Sequence, residues 1–396
     1  MTVPELDLAD PEVLRDPFTA YAQAREAAPV AQLRMPGPMS LWVVTRYAPA
    51  KELLGDPRFE INSASYLSPD VPEDCLPYLR TMSEQDGPNH LRLRRLVAPA
   101  FTPRRTGEFR ERIAMLVHRL LDEVAKQEAS EPVDLFPGFA RPLPMDVICA
   151  LVGIPEADWP RWREYGAHIA SGAGKEFAAA IPGIIAGAKD AVAASRAEPA
   201  DNLVGDLVRV QEADGDRLSD TEIVSLVWHL VLAGQTPTQL ILNGLAALFA
   251  HPEQLDALRQ DPNLLPSAVE EMLRWCGPNL LTVPRFTTED VDIDGITIDK
   301  GQPVSTAIAG VNRDPRVFDD PDRFDIRRTG PARAHLAFGH GPHFCLGASI
   351  ARVQTEVALG ALLDRFPKLA PATSPPDAAR DTDGGSWRLT ALPVLR

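Results

Sequence analysis

The chain has 396 residues, 45% of them hydrophobic, and a formal net charge of −15. That apolar share is ample for a large buried core, and the acidic balance disfavours nucleic acid as a partner. No run of eighteen or more apolar residues marks a membrane span. The first ten residues are acidic and lack the basic, apolar and small-residue regions of a signal peptide, so a cytoplasmic protein with no membrane partner is expected.

A short helix is predicted over residues 18–27 and a strand over 42–45. Residues 51–201 read as mainly helical, broken by Pro and Gly. The stretch 62–85 has no helical period and is expected to be a long irregular loop, a kind of segment that tends to carry function. Ser219-Asp220-Thr221-Glu222 has the form of a capping box. The helix it opens has Ile223, Val224, Leu226, Val227, Leu230, Val231 and Leu232 on all sides, the pattern of a buried helix. It is predicted to run to residue 250, about 45 Å at 1.5 Å per residue, across the middle of the molecule. A second capping box, Ser267 to Glu270, opens a helix carrying Glu271 and Arg274. Residues 291–298 alternate around Asp294-Gly295, a hairpin signal. The tail after Pro367 ends in a strand-like 387–392. With no repeat and no linker, the chain reads as one compact, helix-dominated domain over 1–396.

Cys75, Cys149, Cys276 and Cys345 are far apart and form no CxxC pair, which argues against a disulfide framework. The first three read as small buried hydrophobes. Cys345 sits in Phe338-Gly339-His340-Gly341-Pro342-His343-Phe344-Cys345-Leu346-Gly347, followed by an apolar helix over 348–363. Glycines at 339, 341 and 347 permit a tight turn against something flat and bulky. A cysteine at a helix N-terminus is in a setting that lowers a thiol pKa and presents a thiolate to a metal. On these residues alone a structural cysteine remains open. So does a zinc site drawn from His335, His340, His343 and Cys345, although zinc sites usually show tighter paired spacings.

The stretch resembles the signature of the cytochrome P-450 family at Phe338, Gly341, His343, Cys345 and Gly347. Four further segments fit the family's order: Glu271-Met272-Leu273-Arg274, Pro321-Asp322-Arg323-Phe324, the strand arginine Arg285, and Asp86-Gly87-Pro88-Asn89-His90-Leu91-Arg92-Leu93-Arg94-Arg95. The resemblance implies the triangular fold, mainly α with a smaller β-rich region, and haem b with Cys345 as the axial thiolate of the iron. It implies contacts to the cofactor from Phe338, Gly339 and Gly347, and a clamp of His90, Arg94, Arg285 and His343 on the haem propionates. It also implies a buried structural network of Glu271, Arg274 and Arg323. A thiolate ligand favours O–O cleavage, so the implied activity is insertion of one oxygen atom from O2 into a C–H or C=C bond.

One segment departs from the family pattern. The helix holds Ala233-Gly234-Gln235-Thr236-Pro237-Thr238, with Thr236 at the family's acid position and Pro237 at its alcohol position. Proline lacks an N–H and clashes with the carbonyl four residues back. A kink is therefore expected, with the Ala233 carbonyl freed, so that this carbonyl, Gln235 and Thr236, with Thr238 beyond them, order water in place of the missing pair. By position, 62–82, 165–189, 231–235, 280–283 and 385–387 should line a distal pocket. The small residues of 165–189 point to a roomy pocket with mobile hinges and to a bulky small-molecule substrate, such as a polyketide, macrolide or peptide of secondary metabolism. A separate ferredoxin and its reductase should supply electrons, docking on Arg94, Arg95, Arg104, Arg105, Arg333 and Arg352. A peroxide-dependent haem-thiolate enzyme and a non-catalytic haem sensor or carrier are the alternatives.

Overall fold

The computed structural model describes residues 2–35, 40–66, 69–128, 131–170, 174–198, 201–213, 218–330, 334–373, 379–381 and 385–396. Helices make up most of it, and a mixed six-stranded sheet lies to one side. Val30–Arg34 pairs antiparallel with Ser40–Val44, which pairs in parallel with Pro303–Thr306. Arg285–Thr287 lies between Pro303–Thr306 and Phe59–Glu60, with Arg285 buried. The predicted hairpin forms from Val291–Ile293 and Ile296–Ile298. It turns through Asp294 (φ 51°) and Gly295 (φ 86°), the two left-handed residues that a tight hairpin turn needs.

The helical part is built around two helices in line of sequence. The capping box at Ser219 forms: its Oγ accepts the Glu222 N–H at 3.2 Å, and Glu222 Oε2 accepts the Ser219 N–H at 2.7 Å. The helix does not run on to residue 250. It ends at Ala233, and a second helix spans Thr236–Ala250 with Pro237 in its first turn. Proline is tolerated in a first turn, where its missing N–H would have no partner anyway, so the chain restarts a helix there. These two helices pack against Pro142–Val152, Trp159–Ala170, Lys175–Ala197, Leu265–Cys276 and Ala348–Arg365.

Three expectations need correcting or refining. Ser267–Glu270 is not a capping box: Leu265–Cys276 starts earlier, the Ser267 hydroxyl donates to the Ile326 carbonyl at 2.6 Å, and Glu270 turns to Arg352 and His335. The described residues of 62–85 keep to the expected irregular course but include single turns, Ser63–Ser65, Glu73–Cys75, Leu76–Leu79 and Met82–Glu84. Among the described residues of 165–189, Gly166, Gly183 and Gly187 serve packing, whereas Gly174 stands in open space. A Cβ at Gly187 would meet the Trp162 ring at 2.7 Å, and one at Gly166 would meet Met145 Cε at 2.6 Å. One helix, Lys175–Ala197, is long and apolar enough to cross a membrane by length and composition. It packs against Trp159–Ala170, Leu203–Ala213 and Asp220–Ala233.

Candidate active site

The loop before Ala348–Arg365 is held at several points by its own backbone. The Cys345 N–H bonds the Phe338 carbonyl at 2.9 Å, Gly339 N–H bonds Leu336 O at 2.9 Å, and Leu336 N–H bonds Asn312 Oδ1 at 2.7 Å. Gly339 (φ 70°) and Gly341 (φ 71°) take left-handed conformations open to few other residues. At Gly341 a Cβ would strike the Leu54 carbonyl at 2.7 Å, so this glycine lets the loop lie against the end of helix Tyr47–Gly55. Gly347 has an ordinary φ of −82°, and a Cβ there would meet nothing within 4 Å; it leaves room and imposes no turn. Phe338 is stacked under Arg352 at 4.6 Å. Phe344 and Cys345 are exposed at the loop's end. Although Cys345 is exposed as a residue, desolvation by the surrounding protein pushes its thiol up. The Gly347 N–H, Arg94 and Arg352 pull the other way. The net direction is upward, against the sequence expectation, because desolvation outweighs the helix end.

Facing this loop is a cluster from helix Gly87–Val97 and the sheet. His90 is buried and stacks on His343, ring centroids 4.0 Å apart and planes 20° from parallel. His343 Nε2–H donates to Asp86 Oδ1 at 3.0 Å, and the same carboxylate accepts the Ile61 N–H at 2.9 Å. Burial pushes Asp86 up, but these bonds and nearby Arg285 outweigh it and bring it down to about 2. Burial, reinforced by His343 and Arg94, lowers His90 to about 4. Arg94 donates to the Phe344 carbonyl. Thus His90, Arg94, Arg285 and His343 do converge, and Asp86, quoted in the motif but given no role, joins them. Asp86 precedes the helix without capping it, its carboxylate being turned to His343 and Ile61.

Does this cluster fit a haem? Two observations bear on it. His90 Nδ1 is buried with no hydrogen-bond partner. Arg285 is 5% exposed, yet among the described residues it makes no ion pair within 4 Å. A buried cation without a counter-charge within 4 Å is costly, and an external carboxylate at Arg285 supplies one. The residues fit. The zinc grouping, in contrast, is not assembled: His335 is committed to Glu270 at 3.2 Å, and the described residues whose ligand atoms converge are Asp86, His90 and His343, without Cys345.

The structural network differs in one member from the expected one. Arg274 and Glu271 pair at 2.7 Å with side chains 0% and 1% exposed. The third member is Arg328, whose Nε bonds both Glu271 oxygens at 3.2 Å. Arg323 contributes its carbonyl, to Arg274 at 3.1 Å, while its own side chain is 64% exposed beside Asp325.

Across the site, the break between Ala233 and Thr236 is more closed than predicted. Thr236 Oγ1 donates to the Ala233 carbonyl at 3.0 Å, so the side chain caps the group that proline orphans. Gln235 is buried, its amide folded back to the Val231 carbonyl at 3.4 Å. Gly234 packs against Ile148, and Thr238 is buried with its hydroxyl unpartnered. Of the five residues expected to act together, Ala233 and Thr236 stay on the accessible side, and the side chains of Gln235 and Thr238 are turned inward.

A cleft of about 880 Å³ opens beside the Asp220–Ala233 helix. Its wall includes Asn62, Tyr66, Leu79, Ile169, Phe177 and Leu232 from the expected segments, and Trp228, Gln85, Asp86 and Asn89, which were not expected. The segments 280–283 and 385–387 do not line it; they pair with each other, Leu280 N–H to Gly385 O at 3.0 Å. Among the proposed docking arginines, Arg352 is spent on Glu270 at 2.5 Å and Arg105 on Asp206 at 2.5 Å. Arg95 and Arg104 are exposed, Arg104 beside Glu108 at 3.2 Å, and Arg333 lies outside the described residues.

Comparison with known proteins agrees with this geometry. The family model for cytochrome P450 matches residues 173–388. The chain is 39% identical to 6-deoxyerythronolide B hydroxylase of Saccharopolyspora erythraea, over 99% of this chain and 96% of that one. It is 38% identical to cytochrome P450 monooxygenase PikC of Streptomyces venezuelae, over 99% and 94%. Among solved structures, the ligand-free P450 monooxygenase TamI superposes with a TM-score of 0.89 at 36% identity, covering 100% of this chain and 94% of that one. The chain belongs to the cytochrome P450 family, whose members hold haem b through an axial cysteine thiolate, and it is a monooxygenase of that kind.

Proposed function

We propose that the chain, as a single unit over 1–396, inserts one oxygen atom from O2 into a C–H or C=C bond of a bulky product of secondary metabolism, with Cys345 as the iron ligand. Haem held there by the Cys345 thiolate would supply the activation of dioxygen. The observation that carries this reading is the convergence on the Cys345 loop, itself fixed by its own backbone, of Arg94, the stacked His90–His343 pair and Arg285, a buried cation with no ion pair among the described residues. Arg285 and Arg94, with the stacked His90–His343 pair, would hold the propionates; Phe338, Gly339 and Gly347 would shape the face against the ring. On the distal side Ala233 borders the reacting centre, and Thr236 fixes its carbonyl. A cleft of about 880 Å³ is at the upper end of the range for small-molecule sites, in keeping with a large substrate. A relative named for action on mycinamicin IV, the mycinamicin IV hydroxylase/epoxidase of Micromonospora griseorubida at 39% identity, points the same way.

Electrons come from a ferredoxin and its reductase in the cytoplasm, docking on the side of Arg95 and Arg104. If the docking is electrostatic, raising salt slows reduction; salt-independent reduction removes this part. The decisive experiment is Cys345→Ser. The reduced wild-type protein under carbon monoxide should show the red-shifted Soret band of a thiolate-bound haem, and the variant should lose it. An unchanged spectrum in the variant overturns the assignment.

A further inference from the structure

We infer that Glu270 is a positioning residue on the cysteine side: it cancels the charge of Arg352 beside the Cys345 loop and so holds down the reduction potential of the haem iron. The inference rests on the haem-thiolate reading above and adds to it a group, remote from the sulfur, that governs how readily the iron takes an electron.

Arg352 stands on the helix Ala348–Arg365, into which the cysteine loop leads. Its guanidinium lies 4.6 Å from the centre of the Phe338 ring, and the Phe338 carbonyl accepts the Cys345 N–H at 2.9 Å. A cation is thus packed on the residue that fixes the backbone of the ligand. Glu270 reaches it from the neighbouring helix Leu265–Cys276 and is itself 5% exposed. Its two oxygens take Arg352 in a fork, Oε1 from Nε at 2.5 Å and Oε2 from Nη2 at 3.1 Å. A bidentate pair of this kind holds a guanidinium in one orientation.

His335 meets the same carboxylate through Nε2 at 3.2 Å. Its Nδ1 accepts the Ala337 N–H at 3.3 Å, which leaves Nε2 to donate to Glu270. The cluster therefore pairs one carboxylate with one guanidinium and brings no net charge to the loop. The adjacent Glu271 cannot stand in, since Arg274 and Arg328 hold it. Among the described residues Glu270 is the carboxylate within 4 Å of Arg352. Without its charge, a lone cation faces the cysteine loop. Reduction adds one negative charge to the iron and its ligands, and a nearby positive charge favours that state.

The test is a potentiometric titration of the haem-loaded, substrate-free protein at mildly alkaline pH, where a lone Glu270 stays ionised. Glu270→Gln should raise the ferrous-to-ferric ratio at a given potential about three- to tenfold, tenfold being about 59 mV for one electron. Arg352→Gln, at a side chain 29% exposed, leaves Glu270 uncompensated and should move the ratio the opposite way. The double variant, neutral at both positions, should return to within about twofold of wild type. A merely structural role would loosen the loop in both single variants and shift them in one direction. No shift in Glu270→Gln, or shifts of the same sign in the two single variants, overturns the inference. Should Glu270→Gln fail to fold, Arg352→Gln decides alone, and a potential equal to or above wild type overturns it. If the reduced wild type under carbon monoxide lacks the thiolate-bound Soret band, the haem reading itself fails, and the two failures are thus distinguished.

Discussion

The two faces of the site are built on opposite principles. On the cysteine side the backbone is fixed redundantly, by Cys345 N–H to Phe338, Leu336 N–H to Asn312 and the left-handed glycines 339 and 341. On the opposite side one proline breaks a buried helix, a single threonine hydroxyl closes the gap, and buried polar atoms at His229 and Thr238 have no partner. The contrast separates two jobs. Holding a metal ligand requires one geometry, whereas receiving a large substrate and moving protons requires groups whose partners arrive from outside.

The largest effects expected inside the fold come from the ion pairs behind the cysteine loop. Glu271→Ala leaves Arg274 buried and uncompensated, which costs about 3–5 kcal/mol. Arg328→Ala removes one of two partners and should cost less. Arg323→Ala, at a side chain 64% exposed, should stay within about 0.5 kcal/mol. Chemical denaturation of the three variants orders them. If Arg323→Ala is as damaging as Arg328→Ala, the third member has been misassigned. Next in size is Gly341→Ala, which meets both a left-handed backbone and the Leu54 carbonyl. It should cost about 2 kcal/mol or more and lower the haem-to-protein ratio; Gly347→Ala, with neither problem, should leave stability nearly unchanged.

How far the sequence foretold this follows from the range of each interaction. The cysteine loop, the Ser219 box, the Asp294-Gly295 turn and the break at Pro237 were legible because each depends on residues within a few positions. The same locality hid Arg328: the arginine that completes the Glu271 pair is chosen by how residues 319–328 fold back, and Arg323 had the motif but its carbonyl, not its guanidinium, points inward. Ser267 fitted a capping pattern, and tertiary partners claimed its hydroxyl and Glu270 instead. Asp86 was in view within its motif, but its bond to His343 spans 257 residues and no spacing encodes it.

Smaller effects are expected on the distal side. Thr236→Val keeps the shape and removes the hydroxyl that caps Ala233. Loss of one hydrogen bond costs about 0.5–1.5 kcal/mol, with little change in haem content. The informative measurement is product formed per reductant consumed. Coupling should fall as water gains the exposed carbonyl; unchanged coupling removes Thr236 from the proton path. Serine at the same position, retaining the hydroxyl, should restore it.

The subtlest comparison between the two faces is their response to acid. Burial lowers His90 and His229 to about 4, from an ordinary value near 6.5. The unfolded chain takes up those protons before the folded one does, so stability is lost as pH falls from about 6.5 to about 4. Asp86 and Glu270, which burial pushes up but hydrogen bonds with His343, and with His335 and Arg352, bring down to about 2, hold their contribution until lower pH and lose it between about 4 and 2. The first window therefore belongs to histidines on both faces, and the second to carboxylates, Asp86 and Glu270 on the cysteine side and Asp220, lowered to about 2 by Arg196 and Gln211, at the start of the distal helix. His229→Phe deletes one distal titration and leaves the proximal groups in place. Melting temperature against pH should be flatter for this variant between about 6.5 and 4, and parallel to wild type below. A variant curve parallel throughout would mean that His229 protonates freely in the folded state, which its sealed Nδ1 and enclosed helix do not allow.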